Sequence, residues 1–136
     1  MTVTYLLEYM EQNKTAAYFS LLADKITFNP EEKSVWNKLN RNIPNIKRRR
    51  SYPAVKIGRL AVNEDYSGQG LGTFILDNIK YVFSNVKRLG CRFITVDALK
   101  TAVPFYELNG FQFMTESDKD DETRLMFFDL KNFIAD

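Results

Sequence analysis

Glycine occupies every second position in the run Gly68-Gln69-Gly70-Leu71-Gly72, so three of the chain's six glycines fall within five residues. Glycine lets a backbone turn tightly and bring its amides up to a ligand with no Cβ in the way. The run follows an apolar stretch that reads as a strand and precedes a strongly periodic stretch that reads as a helix. Amides in such a loop, with the unbonded N–H groups of the helix start, make an anion site suited to phosphate. A plain strand-to-helix turn is the alternative, but turn-making alone does not require three glycines. A nucleoside-triphosphate loop would end Gly-Lys-Ser/Thr, whereas Leu71-Gly72-Thr73 has no lysine. A dinucleotide fingerprint has G-x-G-x-x-G spacing, and here the spacing is G-x-G-x-G.

The residues that are missing narrow the chemistry further. The chain contains no histidine and a single cysteine, Cys91. Ser-His-Asp triads, Cys-His pairs and histidine-ligated metals are therefore excluded together, as are an intrachain disulfide and a cysteine-built zinc site. Cys91 follows a helix-ending glycine and reads as a small buried residue. The net charge of +2 is too small to imply a nucleic-acid partner by itself. Its distribution is uneven: Lys47-Arg48-Arg49-Arg50 is a basic run, and Asp118-Lys119-Asp120-Asp121-Glu122 is mostly acidic. No signal peptide is apparent, nor any apolar run of about 18 residues that could span a bilayer. A cytoplasmic protein with no membrane contact is the default expectation.

The elements that must position the glycine loop can be read from periodicity. With 136 residues, 45% of them hydrophobic, and eleven Phe, a single domain over residues 1–136 with a real core is expected. Thr2–Tyr9 and Ala16–Ala23 read as a hairpin around Glu11-Gln12-Asn13-Lys14. Asn29-Pro30-Glu31-Glu32 has the form of a helix start, with a helix through about Leu39. An irregular loop over Arg41–Pro53 follows, then a strand over Ala54–Val62. Leu71, Ile75, Ile79, Val82, Val86 and Leu89 form an apolar stripe on a helix over Thr73–Leu89, which Gly90 can end. Cys91–Ala98 reads as a strand, Ala102–Leu108 as a short helix, and Phe111–Met114 with Arg124–Leu130 as a closing hairpin. The strand–helix–strand unit should be parallel and right-handed, inside a mixed sheet with helices on its faces.

The stretch from Gly58 to Gly72, GRLAVNEDYSGQGLG, resembles the acetyl-CoA motif of the GNAT N-acetyltransferase superfamily. Further on, Ala102-Val103-Pro104-Phe105-Tyr106-Glu107-Leu108-Asn109-Gly110-Phe111 is similar to its second hallmark, a short Phe-Tyr helix ending in Asn-Gly-Phe. The resemblance implies an α/β (α+β) fold: a twisted, mostly antiparallel mixed sheet with a central splayed parallel pair and helices on both faces. It implies acetyl-CoA as the cofactor, bound where the strands from Ala54 and Cys91 part. The backbone of Leu60, Ala61 and Val62 would pair with the pantetheine arm. The loop from Ser67 and Gly68 through Gln69, Gly70, Leu71, Gly72 and Thr73 would hold the pyrophosphate, with Phe105 beside the cofactor. The family pattern Gln/Arg-x-x-Gly-x-Gly/Ala has Ser67 at its first position here, so the loop must rely on its backbone.

The same resemblance places Tyr106 against the cofactor sulfur, as the general acid for the departing thiolate. A phenol with a reference pKa of about 10 is protonated and available at neutral pH. A backbone N–H from the Leu60–Val62 strand would stabilise the oxyanion. The general base stays open among Glu64, Asp65, Asp97, Glu107 and water. Val96-Asp97-Ala98-Leu99, with the glycine motif, is most similar to the toxin branch, whose members acetylate the amino group of aminoacyl-tRNA. In that case Lys47, Arg48, Arg49 and Arg50 would contact RNA phosphates; the alternative is a solvated surface. Typical members carry an N-terminal strand and one or two helices ahead of the first hairpin, whereas here that hairpin starts by about Thr2. The expected acceptor side is then unusually open, is completed by a homodimer partner or antitoxin, or belongs to a cofactor-binding domain with weak activity. Three readings follow: an N-acetyltransferase acting on aminoacyl-tRNA, a protein amine or a small amine; an acyl-CoA-binding module with little turnover; and an RNA-binding or antitoxin-paired regulatory protein.

Overall fold

The computed structural model describes residues 2–9, 14–27, 51–85 and 91–133. Within them six strands form one sheet: β1 (Thr2–Tyr9), β2 (Lys14–Thr27), β3 (Ser51–Val62), β4 (Phe93–Leu99), β5 (Gln112–Phe113) and β6 (Thr123–Asp129). Their order is β1-β2-β3-β4-β6-β5. Every neighbouring pair is antiparallel except β3 and β4, which run parallel. The helix α1 (Leu71–Asn85) connects that parallel pair, and α2 (Val103–Leu108) follows β4. The expected mixed, mostly antiparallel sheet with one central parallel pair is what forms.

Side chains alternate across a strand, so each strand feeds two cores. On one face Val55, Ile57, Ile94, Val96, Met126 and Phe128 meet Ile75, Leu76 and Ile79 of α1 and Tyr106 of α2. On the other face Tyr52, Ala54, Phe93 and Phe127 pack with Ile26 and Met114. Phe93 to Val96 are consequently all buried, as a strand covered on both sides requires. Both described helices lie against the first face. The helix expected from Asn29 to about Leu39, the loop to Arg50 and the stop at Gly90 lie outside the described residues.

Several boundaries differ from those the sequence predicts. β2 runs on to Thr27 and β3 begins at Ser51, because Ala23↔Val55 through Thr27↔Ser51 continue the ladder. Pro53 reads as a loop residue, yet it sits just before parallel pairing starts at Ala54 and needs no N–H there. Its carbonyl accepts from the Arg92 N–H at 3.1 Å. α1 starts at Leu71 rather than Thr73, with Gly72 inside its first turn. Residues Lys100–Ala102 form a separate 3₁₀ turn, so α2 starts at Val103 with Pro104 in its first turn, where a missing N–H costs nothing. β4 is shifted to Phe93–Leu99, and the closing hairpin shrinks to Gln112–Phe113 with Thr123–Asp129. The buried face of α1 is Ile75, Leu76, Ile79 and Lys80, whereas Val82 of the expected stripe is exposed.

Among the described residues no helix is long and apolar enough to cross a membrane. Phe93 is fully buried, with edge-on contacts to Tyr52 at 5.7 Å and Phe127 at 6.0 Å. Phe93→Ala should therefore lower unfolding free energy by about 3–5 kcal/mol in urea titrations. A loss of under about 1 kcal/mol would show that this second core is not structural.

Candidate active site

β3 and β4 remain paired only from Ala54↔Phe93 to Ile57↔Val96. Beyond that point β3 continues beside β2, and β4 continues beside β6. The parting is accompanied by a bulge: Ser20 pairs with Arg59 and Leu21 with Ile57, leaving Gly58 as the extra residue. One inserted residue reverses the alternation, which moves Leu60 and Val62 onto the helix face that Val55 and Ile57 already share. The Asn63 N–H donates to the Ala16 carbonyl at 2.8 Å, so antiparallel alternation turns the main-chain groups of Ala61 toward β2. Those of Leu60 and Val62 face the gap. The cleft in the gap, about 240 Å³, is lined by Ile57, Gly58, Arg59, Leu60 and Ala61 on one side and Val96, Asp97, Ala98 and Leu99 on the other, with Tyr18, Ala102 and Tyr106.

The glycine loop is anchored from behind. Asn63 caps the single 3₁₀ turn Glu64–Tyr66, accepting from the Asp65 N–H at 3.0 Å, and its side chain donates to the Thr15 carbonyl at 3.1 Å. Ser67 closes the turn, its N–H and hydroxyl both donating to the Glu64 carbonyl. Gly68 and Gly70 then adopt φ of 77° and 78°, a left-handed backbone that other residues adopt at a cost. Gly72 is required for a different reason: a Cβ there would lie 2.8 Å from Phe105 Cζ. The first intrahelical bond of α1 runs from the Phe74 N–H to the Gly70 carbonyl, so the N–H groups of Leu71, Gly72 and Thr73 have no partner within the helix. They stand at the positive end of a 15-residue helix. A groove of about 420 Å³ runs over this loop, lined by Leu60, Val62, Tyr66, Ser67, Gly68, Gly70, Leu71, Gly72, Thr73, Ala102, Phe105 and Tyr106.

Groove and cleft share Leu60, Ala102 and Tyr106, so Tyr106 stands where they meet. Its ring packs edge-on against Phe105 at 5.1 Å and Phe111 at 5.3 Å. Burial pushes its phenol up to about 12, so it is protonated at every physiological pH. Of the four candidate carboxylates only Asp97 lines the cleft. Glu64 and Asp65 are exposed on the 3₁₀ turn, and Glu107 is exposed on α2. Asp97 lies between the buried Val96 and Ala98, so it points to the sheet face opposite Tyr106, where it pairs with Lys56 at 2.6 Å. Arg59, exposed, also lines the cleft.

The sequence-predicted residues Leu60, Val62, Ser67, Gly68, Gly70, Leu71, Gly72, Thr73, Phe105 and Tyr106 thus converge on one groove. Ala61 lines the cleft instead, and Gln69 lines neither. The basic run Lys47–Arg50 lies outside the described residues. Ala102, Tyr66, Tyr18 and Arg59 were not singled out in the sequence. Ala102 and Tyr66 lie beside the two motifs, whereas Tyr18 is brought in only by the pairing of β2 with β3.

A family described as an acetyltransferase (GNAT) domain matches residues 42–130. A search of curated proteins returns no match. Among solved structures, a bacterial toxin superposes with a TM-score of 0.75 at 14% identity, covering 96% of this chain and 68% of the other. AtaT complexed with acetyl-methionyl-tRNAfMet gives 0.71 at 22%, covering 94% and 71%. A mutant AtaT toxin bound to the C-terminus of the antitoxin AtaR and acetyl-CoA gives 0.66 at 21%, covering 94% and 68%. At these identities the likeness is one of fold.

The raised phenol makes stability depend on pH in a defined window. Unfolded tyrosine loses its proton near pH 10, while folded Tyr106 keeps it to about 12, so the native state holds one more proton between those values. Stability should be fully present below pH 10 and fall by about 2–3 kcal/mol on the way to pH 12. Tyr106→Phe should remove that part of the alkaline loss; identical slopes in urea titrations across the window would rule out the buried phenol as its source.

Proposed function

Because the chain belongs to the GNAT acetyltransferase family, and is by that membership an acetyl-CoA-dependent N-acetyltransferase, we propose that it transfers acetyl to a primary amine by direct attack in a ternary complex. The observation that carries this reading is the meeting of groove and cleft at Tyr106. The residues fit the cofactor: three amides without helix partners and two left-handed glycines suit a pyrophosphate, and the free main-chain edge of Leu60 and Val62 suits the amide groups of a pantetheine arm. When bound, acetyl-CoA supplies a thioester, an acyl group already activated for transfer.

The chain's own residues then have separate tasks. The Leu71, Gly72 and Thr73 amides hold the phosphates without a charged side chain, in keeping with Ser67 at the first motif position. Leu60 and Val62 would orient the arm, and an N–H from this strand would stabilise an oxyanion on the thioester carbonyl. An amine would enter from the face that carries Asp97 and Arg59, and the bound thioester would supply the acyl group that it attacks. Tyr106 would supply the proton that a departing thiolate needs, and water or Asp97 would take the amine proton. Holding both partners in one geometry supplies much of the rate.

For the acceptor we favour an aminoacyl-tRNA. Arg59 at the cleft and the Lys47–Arg50 run would meet phosphates, and the likeness to AtaT with its acetylated tRNA supports the same reading. An antitoxin-like partner is part of it. An acyl-CoA-binding or RNA-binding module with little turnover is the competing account.

Free-thiol release from acetyl-CoA, followed with a panel of aminoacyl-tRNA, protein and small amines, separates these accounts. Release above hydrolysis is expected with aminoacyl-tRNA; binding of acetyl-CoA with no acceptor-dependent release would favour the module. Tyr106→Phe should lower kcat by about 10²-fold with little change in cofactor affinity. Gly70→Asp should fold at a modest cost in stability, since a Cβ there meets nothing within 4 Å and Asp is among the few residues that visit left-handed backbone, yet lose acetyl-CoA binding in calorimetry. Gly70→Asn, neutral and tolerant of left-handed backbone, should retain most of that binding. Neutralising Lys47, Arg48, Arg49 and Arg50 together should weaken tRNA binding and flatten its salt dependence; unchanged binding would remove them from the acceptor site.

A further inference from the structure

The face of α1 that enters the core carries a charged residue. Lys80 is only 5% exposed, beside Ile79 and one turn after Leu76. An ammonium in such a place is costly unless its donors are used. Burial lowers its pKa, an effect partly offset by Asp77. Its Nζ donates to the Asn109 carbonyl at 2.5 Å and stands over the Phe128 ring at 4.2 Å and the Phe111 ring at 5.7 Å. The Asn109 carbonyl belongs to the C-terminal turn of α2, where helix carbonyls lack partners and a cation is favoured. The two ring faces add cation–π attraction.

α2 is six residues long, too short to hold its shape alone. Its last turn is tied through Asn109. The Asn109 N–H donates to the carbonyls of Tyr106 at 3.1 Å and Phe105 at 3.3 Å, and its side-chain amide donates to Phe105 at 2.9 Å. The Phe111 N–H donates to the Tyr106 carbonyl at 3.0 Å, and its ring packs on the Tyr106 ring. Tyr106 is therefore fixed from the backbone side by Asn109 and from the ring side by Phe111, and Lys80 touches both. Lys80 itself lines neither the groove nor the cleft.

We propose that Lys80 is a positioning residue for acetyl transfer, tying the end of α2 to α1 so that the Tyr106 phenol is held where groove and cleft meet. The inference rests on the reading of Tyr106 as general acid. Methionine at this position fills a similar volume but offers no donor, so the Asn109 carbonyl loses its partner and the turn that carries Tyr106 is free to shift.

The test is a double-mutant cycle of Lys80→Met and Tyr106→Phe, with kcat and KM for acetyl-CoA measured on an amine that the wild type acetylates. Lys80→Met should lower kcat about ten-fold while KM stays within about three-fold, because a displaced acid costs chemistry and not binding. In the Tyr106→Phe background the same change should cost less than about two-fold, the non-additivity of residues acting through one group. Should Lys80→Met fail to fold, Lys80→Leu, which likewise offers no donor to the Asn109 carbonyl, enters the same cycle with the same expectation. Additive losses, or an unchanged kcat in a folded Lys80 variant, would overturn the proposal. Failure of the acid reading has a different signature, an undiminished kcat in Tyr106→Phe alone.

Discussion

Parallel strands β3 and β4 share a ladder for only four residues of each strand, Ala54–Ile57 and Phe93–Val96. Main-chain N–H and C=O groups beyond that stretch still require partners, and a strand whose neighbour has departed can satisfy them only with solvent or a ligand of similar shape. The Gly58 bulge makes the departure usable. Without the extra residue, Leu60 and Val62 would point away from the helices and the free edge would be set in a different surface. Gly58 also meets a close limit there, since a Cβ would lie 2.7 Å from Ser20 Oγ. The cleft is thus a consequence of register, and the side chains around it follow from the same shift.

Two further elements must be held at a fixed spacing from that edge. The amides without helix partners stand at the start of α1, and the phenol stands on α2 after the next strand. Nothing in chain order keeps them together; packing does. At one end Gly72 lets Phe105 approach closely, and at the other Lys80 reaches the Asn109 carbonyl. Behind the loop, Asn63 ties the turn to Thr15 and Ala16 of β2. Each hydrogen bond is worth only about 1 kcal/mol net, a small amount against the whole fold. Catalysis depends on them more steeply, because a misplacement of about 1 Å can cost 10²-fold in rate.

The glycine loop, the strand that precedes it and the Phe105-Tyr106 helix were legible in the sequence because their signals are local. Glycine alternation, helical periodicity and a Pro near a helix start each act within a few residues. What was not legible depends on contacts between distant segments. The reach of β2 to Thr27 is set by its ladder with Ser51–Ala54, and residues such as Asp24 and Lys25 carry no strand signal of their own. Lys80 reads as a solvent residue beside the stripe, and only the Asn109 carbonyl and two phenylalanine rings from later in the chain explain its burial. Asp97 could not be told from Glu64, Asp65 or Glu107 until the sheet showed which carboxylate borders the cleft.

The pKa of Tyr106 changes how its role should be understood. A phenol near 10 would be a matched donor for a thiolate in water, but burial raises it to about 12 and makes it a weaker acid by about 3 kcal/mol. That cost would count against it if the thiolate kept its aqueous proton affinity. Desolvation would act on both partners, however: under the proposed function a thiolate departing in the cleft would lose water too, and burial raises a thiol as it raises a phenol. Cys91 shows the same direction within this chain. What matters is the difference between the two proton affinities, and a shared environment preserves that difference while excluding competing water. The same burial keeps the proton on Tyr106 up to about pH 12, well above the pH at which an α-amino group becomes neutral. Were Tyr106 the acid, the fold would keep it available, and the pH dependence of turnover would pass to the amine and to the cleft that receives it.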